Sequence, residues 1–237
     1  MLAKLKFKKL PIHIGVIPDG NRRFALKYGF SFEEAYWRGY LKVKEFADWC
    51  REFGVKYLTF YTLSVENLNR SQNQLATIFK VLEKAFDDFI KDERVFKEKV
   101  RVMGLGRIHL LPRRIREVIK KVEELTKDHD RYYIFLLVAY SGRAEIIDAV
   151  KKIISAGINA DDIDENVFRY FLYLPEWVPD PDLIFRSSGE MRLSNFMLWY
   201  SAYAEFYFCP KLWPEVTRDD LIAALKDYEK RRRRFGR

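Results

Sequence analysis

The sequence predicts an α/β fold with a mostly parallel central sheet surrounded by helices. Short runs rich in β-branched and aromatic residues alternate with longer segments in which apolar residues recur every three or four positions, the pattern of repeated β-α units. Hydrophobic residues make up 49% of the 237 residues, enough for a sizeable core. Because no repeat, linker or shift in composition divides the chain, we expect residues 1–237 to form a single domain.

The amino-terminal half begins with a predicted strand at residues 12–17, a short apolar run that leads into a polar loop. Residues 33–53 have the spacing of a helix, and Gly54 supplies its stop. One face of this helix carries Tyr36, Tyr40, Val43, Ala47 and Cys50. The apolar residues 55–63 predict a second strand, and residues 74–91 predict a second helix. The inward face of that helix carries Leu75, Ile78, Leu82, Phe86 and Phe89.

The carboxyl-terminal half continues the same alternation. Strands are predicted at residues 100–104, 132–140, 182–186 and 206–208. Helices fit between and after them at residues 113–127, 144–155 and 218–234. The helix at residues 113–127 has an inward face of Ile115, Val118, Ile119, Val122 and Leu125. The longest apolar runs in this half suit buried strands rather than membrane spans.

Charge and cysteine content narrow the classes of partner. Lys and Arg outnumber Asp and Glu by 43 to 34, a net charge of +9, which favours polyanions such as nucleic acid, acidic lipid or phosphorylated small molecules. Cys50 and Cys209 are far apart in sequence, so a disulfide framework and a zinc site are disfavoured. No window holds roughly 20 uninterrupted apolar residues, and the basic start lacks the features of a secretory signal. We therefore expect a soluble, cytoplasmic protein.

Three polar loops follow predicted strands. Ligands of open parallel sheets bind beyond the carboxyl ends of the strands, where such loops lie. The loops are residues 18–23 (PDGNRR), 64–70 (SVENLNR) and 186–195 (RSSGEMRLSN). The sequence therefore places a candidate site at this edge of the sheet.

The first and third loops carry residues suited to diphosphates. Asp19 can ligate a hard cation such as Mg²⁺, and Gly20 lets the backbone approach a ligand. Asn21 and Arg23 can donate to phosphate oxygens. In the third loop, Arg186 and Arg192 can grip phosphate bidentately. Each loop alone is also compatible with a turn or a solvated basic surface, but two of them in one basic α/β chain favour a site for two diphosphates.

Other chemistries fit the sequence poorly. It contains no Gly-x-x-x-x-Gly-Lys phosphate loop and no Gly-x-Gly-x-x-Gly fingerprint. His13, His109 and His129 are its histidines, and no Gly-x-Ser-x-Gly elbow accompanies them, so a serine-type triad has little support.

The motifs resemble those of the cis-prenyltransferase family, which includes undecaprenyl diphosphate synthase and dehydrodolichyl diphosphate synthase. The similarity runs over nearly the whole chain. Its segments, in order, are HIGVIPDGNRRFA, SVENLNRS, AYSGR, LIFRSSGEMRLSNFMLWYSAYAEFYF, LWPE and RRFG. The resemblance implies a transferase with one catalytic domain, a hydrophobic tunnel and a homodimeric assembly. It would condense isopentenyl diphosphate with an allylic prenyl diphosphate, form a cis double bond and release diphosphate.

The resemblance also implies roles for individual residues. Asp19 would hold Mg²⁺ and act in catalysis with Asn67, whose counterpart the family places near the departing proton; Glu205 would be a further metal-associated carboxylate. The allylic diphosphate would be surrounded by Gly20, Asn21, Arg22, Arg23 and Phe24. The same partner would be met by Phe32 and Tyr36, and by Ser64, Val65, Glu66, Leu68 and Arg70 of the second loop. Isopentenyl diphosphate would be bound by Arg186, Arg192, Leu193 and Ser194. Arg234 and Gly236 resemble a terminal Arg-x-Gly that reaches into the neighbouring subunit.

Four departures fall on the allylic side. Phe32 stands where the family usually has an arginine, and Tyr36 where it has a histidine. Leu68 replaces an aromatic residue, and Gln74 replaces a glutamate. We therefore predict an unusual allylic donor preference, with either Arg22 or Arg38 supplying the charge that Phe32 lacks. The paired Asp-Asp-x-x-Asp motif of trans-prenyltransferases is absent, because Lys91 follows Asp87 and Asp88 at the required spacing.

The sequence leaves three alternative functions to consider. The net charge and the basic tail are compatible with nucleic-acid binding, but the sequence lacks a recognition motif, so we expect no nucleic-acid partner. A non-catalytic scaffold subunit would not need Asp19 or the loop around Arg186. A prenyltransferase of the same fold with another acceptor or coupling regiochemistry fits the same residues.

A peripheral membrane contact would suit the release of an apolar product.

Overall fold

The structure, a computed structural model that describes residues 7–231, is built around a six-stranded parallel sheet. Its strands are β1 (His13–Ile17), β2 (Tyr57–Ser64), β3 (Val100–Leu105), β4 (Tyr132–Tyr140), β5 (Leu183–Arg186) and β6 (Glu205–Phe208). They lie in the order β3-β4-β2-β1-β5-β6, and each neighbouring pair is parallel. The predicted fold class is confirmed, and all six predicted strands are present.

Helices cover both faces of the sheet. Their bounds are α1 (Asn21–Tyr28), α2 (Phe32–Glu52), α3 (Gln72–Lys91), α4 (Glu93–Lys97), α5 (Arg113–Leu125), α6 (Gly142–Ser155), α7 (Glu165–Phe171) and α8 (Arg218–Lys230). The five predicted helices are confirmed as α2, α3, α5, α6 and α8. The prediction for α8 extended too far, because Arg231 has an extended backbone and ends the helix. The helices α1, α4 and α7 were missed because they are too short to show a 3.6-residue period.

Two hydrophobic cores lie on opposite faces of the sheet. The first packs α2, α3, α5 and α8 against the sheet, and Phe46, Phe60, Phe185 and Trp213 meet at its centre. The second core packs the other face against α6, α7 and the segment around Tyr200. The Trp213 indole donates to the carbonyl oxygen of Gly39 at 2.8 Å, which ties the carboxyl-terminal region to α2.

The sheet register brings the three polar loops to one edge. Ile17, the last residue of β1, is level with Arg186, the last residue of β5. On the other side of β1, strand β2 ends at Ser64, which is level with Tyr140 at the end of β4. Because all of these strands are parallel, the loops that follow them start side by side, as predicted.

Candidate active site

The loops after β1 and β5 meet through Asp19 and Arg186. The Asp19 carboxylate lies 2.9 Å from Nη2 of Arg186, whose side chain is only 4% exposed. Arg23, one turn into α1, approaches the same carboxylate at 3.4 Å. Burial alone would raise the pKa of Asp19, but these two arginines and a hydrogen bond from Ser188 lower it below its ordinary value. The carboxylate is therefore ionised and held at the edge of the sheet.

Arg186 is nearly saturated by its own loop. Its Nη1 donates to Ser194 Oγ at 2.7 Å and to the carbonyl oxygen of Arg192. Its Nε is buried and has no hydrogen-bond partner. A buried unpaired guanidinium N–H is costly unless a ligand or water completes it. Arg186 therefore has one N–H donor, at Nε, that is still available to a ligand beside Asp19.

The loop after β5 is held in unusual backbone conformations. Ser188, Ser194, Asn195 and Met197 all have positive φ angles, from 44° to 82°. Non-glycine residues rarely adopt this region, and such strain concentrates at ligand sites when the surroundings enforce it. Arg23 contributes to that enforcement, because it donates to Ser188 Oγ at 2.7 Å and to Ser188 O at 3.4 Å.

Asn195 connects this loop to the loop after β2 and to the start of α6. Its side chain donates to Glu66 Oε1 at 2.9 Å and accepts from the backbone N–H of Arg143 at 3.0 Å. Its carbonyl oxygen accepts from Gly142 N at 2.9 Å. Burial would raise the pKa of Glu66, but hydrogen bonds from its own backbone, Asn195 and its neighbours lower it. Glu66 therefore acts in this structure as a charged anchor between loops.

The loop after β2 supplies a second group of polar side chains. Ser64 Oγ accepts from the backbone N–H of Asn67 at 3.1 Å, which starts the short 3₁₀ turn Glu66–Asn69. Arg70 follows that turn and donates to the Tyr36 hydroxyl at 3.2 Å. Tyr36 lies on α2, so this bond joins the loop to the helix.

Arg22 and Arg38 differ in their surroundings. The Arg22 guanidinium lies 5.7 Å from the centre of the Phe32 ring and lines the cavity. Arg38 pairs with Glu34 at 2.9 Å and stacks on Phe30. Arg38 is not among the residues that line the cavity.

Close packing sets the position of the first loop. Gly20 has a φ of 107°, and a Cβ there would come within 2.9 Å of Leu212. A Cβ on Gly39 would lie 2.2 Å from Asn21 Oδ1. Asn21 Nδ2 donates to the carbonyl oxygen of Pro18 at 3.1 Å, while its Oδ1 is buried without a partner. The contact role of Gly39 was missed in the sequence, where it is one small residue inside a helical pattern.

These groups surround one end of a cavity of about 630 Å³. Its polar mouth is formed by Asp19, Gly20, Asn21, Arg22, Arg23, Tyr36, Ser64, Asn67, Arg70, Arg186 and Ser194. Its apolar interior lies between the sheet and the helices α2 and α3. That interior includes Val43, Ile78, Val81, Leu82, Ala85, Phe86, Phe89 and Leu136. The size is within the usual range for ligand pockets, about 300 to 1,000 Å³.

Several predicted site residues lie outside the cavity wall. Phe24 is buried in a small cluster between α1 and α2, where it stacks on Phe30 at 5.5 Å. Phe32 packs against the same cluster. The exposed Arg192 pairs with Glu190 at 2.6 Å. The remaining residues outside the wall are Val65, Glu66, Leu68 and Leu193.

Glu205 is not brought to Asp19 within the chain. It begins β6 level with Leu183 at the start of β5, whereas Asp19 follows the end of β1. Its carboxylate pairs with Arg231 at 2.9 Å. The predicted residues Arg234 and Gly236 lie outside the described residues. Over residues 7–231, no cluster of three or more His, Cys, Asp and Glu side chains is positioned to hold a metal ion.

A mouth with four arginines and a fixed carboxylate, set above an apolar cavity, defines an enzyme for substrates that join diphosphate to an apolar chain. A family profile described as putative undecaprenyl diphosphate synthase matches residues 17–236. The chain belongs to this family of cis-prenyltransferases, and its reaction is cis-prenyl chain elongation. Within the described part of the chain, no helix is long and apolar enough to cross a membrane.

Individual relatives agree with this assignment. The chain is 46% identical to a tritrans,polycis-undecaprenyl-diphosphate synthase (geranylgeranyl-diphosphate specific) of Methanopyrus kandleri, over 99% of this chain and 88% of the relative. It is 45% identical to a protein of the same name from Thermoplasma volcanium, over 100% of this chain and 93% of the relative.

Solved structures show the same fold. Lavandulyl diphosphate synthase from Lavandula x intermedia, in complex with dimethylallyl diphosphate, superposes with a TM-score of 0.90 at 34% identity and covers 96% of this chain and 99% of its own. A probable undecaprenyl diphosphate synthase from Campylobacter jejuni has a TM-score of 0.80 at 31% identity, with 97% and 100% covered.

Proposed function

We propose that this enzyme uses geranylgeranyl diphosphate as its allylic primer and adds isopentenyl diphosphate units with cis geometry. The observation that carries the proposal is the Asp19–Arg186 pair, which lies at the mouth of a cavity of about 630 Å³ with an apolar interior. The relatives with 45–46% identity are named for specificity toward this primer, which supports the choice of a C20 donor over shorter ones.

The donor set at the mouth suits Mg²⁺. This cation is commonly bound through one or two carboxylates together with substrate phosphates and water. Asp19 is one ionised carboxylate, 32% exposed, that lines the cavity together with Arg22, Arg23 and Arg186. We propose that Asp19 would hold Mg²⁺ together with substrate oxygens. When bound, the cation would stabilise the negative charge that grows on the departing diphosphate.

The two sides of the mouth have different roles in this proposal. Arg22, Arg23 and Arg70 bind the allylic diphosphate, where preorganised positive charge lowers the barrier to breaking its C–O bond. Arg186 and Ser194 hold isopentenyl diphosphate so that its double bond faces the allylic carbon. Asn67 lines the mouth, and its backbone N–H donates to Ser64 Oγ at 3.1 Å. Because an amide is a poor base, we assign Asn67 to orientation rather than to proton removal.

The charge that Phe32 lacks is assigned to Arg22. Arg22 faces the cavity, and among residues 7–231 no carboxylate forms an ion pair with it. Arg38 is engaged by Glu34 and Phe30 outside the cavity wall. Phe32 itself supports the Arg22 guanidinium through its ring.

The assembly and location are further parts of the proposal. We propose a homodimer, because Glu205 is remote from Asp19 within one chain and could join a catalytic site only from another subunit. A cytoplasmic location with peripheral membrane contact for product release completes the proposal. Sedimentation of the full chain at several concentrations would test the dimer, and a monomer with full activity would contradict it.

The function is tested by incubating the purified full chain with labelled isopentenyl diphosphate, Mg²⁺ and one allylic diphosphate at a time, of 5, 10, 15 or 20 carbons. Mass spectrometry and double-bond analysis of the products follow. We expect the C20 primer to have the highest kcat/KM and each added unit to be cis. Equal kcat/KM for all primers would contradict the donor preference.

A second candidate is the same fold with a different coupling regiochemistry. The structural similarity to lavandulyl diphosphate synthase, with a TM-score of 0.90, is the observation that favours this second candidate. The same assay separates the two functions. A branched product, or consumption of the allylic diphosphate without isopentenyl diphosphate, would support this alternative and contradict linear elongation.

A further inference from the structure

A second cavity lies behind the apolar interior of the first. It has a volume of about 60 Å³, against about 630 Å³ for the main cavity. Phe89 on α3 lines both cavities and is only 3% exposed. Its ring packs edge-on against Tyr40 of α2, with the ring centres 5.6 Å apart. Phe89 therefore stands between the main cavity and the smaller, distal cavity, and we call the Tyr40–Phe89 pair the floor of the main cavity.

The distal cavity is apolar inside and charged at its rim. Its inner wall includes Ala47, Val55, Leu58, Val95, Val100 and Ile134. Its rim includes Lys44, Asp48, Arg51, Asp92 and Arg94. These charges form a continuous series of ion pairs rather than a row of solvated side chains.

The series joins α2 to α3 and α4. Lys44 on α2 lies 2.5 Å from Asp88 at the end of α3 and 2.7 Å from Asp92, which follows it. Arg94 on α4 pairs with Asp92 at 2.7 Å and with Asp48 of α2. We name these five residues, Lys44, Asp48, Asp88, Asp92 and Arg94, the clasp.

The clasp is connected to the floor. The Tyr40 hydroxyl donates to Asp88 Oδ2 at 2.8 Å, so the aromatic pair and the ion pairs share one carboxylate. Any movement of α3 away from α2 would open the Tyr40–Phe89 contact and stretch the Lys44 pairs together. The two features therefore form one closure between the cavities.

Chain growth is directed toward the Tyr40–Phe89 pair. Phe89 lines the apolar interior of the main cavity, whose volume is about 630 Å³. With the diphosphate fixed at the mouth, every added isoprene unit drives the far end of the chain toward Phe89. A product that outgrows the main cavity has to pass that wall.

We propose that the clasp sets how readily a growing prenyl chain passes Phe89 into the distal cavity, and so sets the product length. This inference rests on the proposed chain-elongation function. The ion pairs oppose the separation of α2 and α3 that a longer chain requires, because the distal cavity, at about 60 Å³, has to widen before its apolar lining can receive the chain end. Lys44 and Asp92 are specificity-determining residues that act at the far end of the cavity from the reacting atoms.

The test compares the full-length enzyme with Asp92→Asn and Lys44→Met, each supplied with geranylgeranyl diphosphate, labelled isopentenyl diphosphate and Mg²⁺ at saturation. Asparagine preserves the N-cap that Asp92 gives α4, because its side chain also accepts from Arg94 N. The proportion of products longer than the wild-type maximum should rise roughly twofold to fivefold, as expected for loss of one partly exposed ion pair. The rate of the first condensation should stay unchanged.

A matched control is Glu33→Gln. Glu33 pairs with Lys80 at 2.8 Å and also joins α2 to α3, but it lies 11 residues before Lys44, roughly 16 Å along the helix. It should leave product length unchanged. Added salt should shift wild-type products toward those of Asp92→Asn and narrow the difference between the two.

The outcomes separate the two hypotheses. If the wild type elongates the primer but both clasp variants give the wild-type distribution at every salt concentration, the clasp has no role in product length. An equal shift in Glu33→Gln would also overturn the proposal, because it would indicate general loosening of the helices. If the wild type forms no elongated product at all, the proposed function itself fails.

Discussion

Buried polar side chains at the two ends of the parallel sheet differ in how completely they are hydrogen-bonded. At the amino end, His13 is fully buried with both ring nitrogens bonded, one to the carbonyl oxygen of Pro179 at 2.6 Å and one to Thr59 Oγ1 at 2.8 Å. At the carboxyl end, Arg186 is equally buried but keeps Nε without a partner. Polar groups that satisfy one another stabilise a fold, whereas those with spare bonding capacity are available to ligands.

Strained backbone conformations are also concentrated at the carboxyl end of the sheet. Among the described residues, six non-glycine residues have positive φ, and four of them lie between Ser188 and Met197. These four occupy the loop that surrounds Arg186. This strain lies at the end of the sheet where we propose that substrates bind, which matches the general location of strain at functional sites.

The strongest test of this contrast is Asp19→Asn at the carboxyl end. We expect kcat to fall about 10²- to 10³-fold, because a preorganised charge at the reacting centre is lost. The free energy of unfolding should fall by about 1 to 3 kcal/mol, since the buried Arg186 loses its charged partner while the asparagine oxygen can still accept a hydrogen bond. Steady-state kinetics over a Mg²⁺ titration and urea denaturation measure the two quantities.

Glu190→Gln is the matched control for Asp19. Glu190 pairs with Arg23 at 3.2 Å, as Asp19 does at 3.4 Å, but it does not line the cavity. Its loss should leave kcat within about threefold of the wild type. A comparable loss of kcat in both variants would indicate that Asp19 acts only by holding Arg23.

At the amino end, the corresponding test is of stability. Burial lowers the pKa of His13 to about 4, below the 6.5 of an unperturbed histidine. Between these values the unfolded chain binds a proton that the folded chain does not, so the free energy of unfolding decreases as the pH falls from 6.5 to 4. The decrease attributable to His13 is at most about 3 kcal/mol. Denaturation at pH 7 and pH 4.5 should show it.

His13→Gln should reduce this pH dependence, although the substitution also lowers stability at pH 7. The exposed His109 provides the control, because His109→Gln should preserve the wild-type dependence on pH. An unchanged pH dependence in His13→Gln would show that His13 is not the group responsible.

The smallest expected effect concerns Tyr36→Phe, which removes the acceptor for Arg70. We expect KM for the allylic diphosphate to rise about threefold to tenfold, the value of one ordinary hydrogen bond. KM for isopentenyl diphosphate and kcat should hardly change. Tyr28→Phe is the control, because its hydroxyl donates to Glu215 at 2.7 Å outside the cavity. Equal changes in both Michaelis constants would contradict a role for Tyr36 on the allylic side alone.

Much of the site was predictable because of where strands end. The loops that contain Asp19, Ser64 and Arg186 were identified as polar segments after apolar runs, and parallel pairing places such loops together. Short helices were harder to predict from the sequence. The helices α1 and α7 have eight and seven residues, which is too few turns for a 3.6-residue period to be recognised. The packing roles of Phe24 and Gly39 also left no sequence signal, since both depend on contacts with distant residues.

The sequence by itself determined the α/β class, the order of the main strands and helices, and the positions of the polar loops for which we propose diphosphate chemistry. These features are local: they depend on periodicity, on charge and on residue types that follow a strand directly. The tertiary structure decided that Arg22 rather than Arg38 faces the cavity, that Glu205 lies away from Asp19, and that Phe89 divides two cavities. Each of these depends on how separate segments pack, which spacing along the chain does not specify.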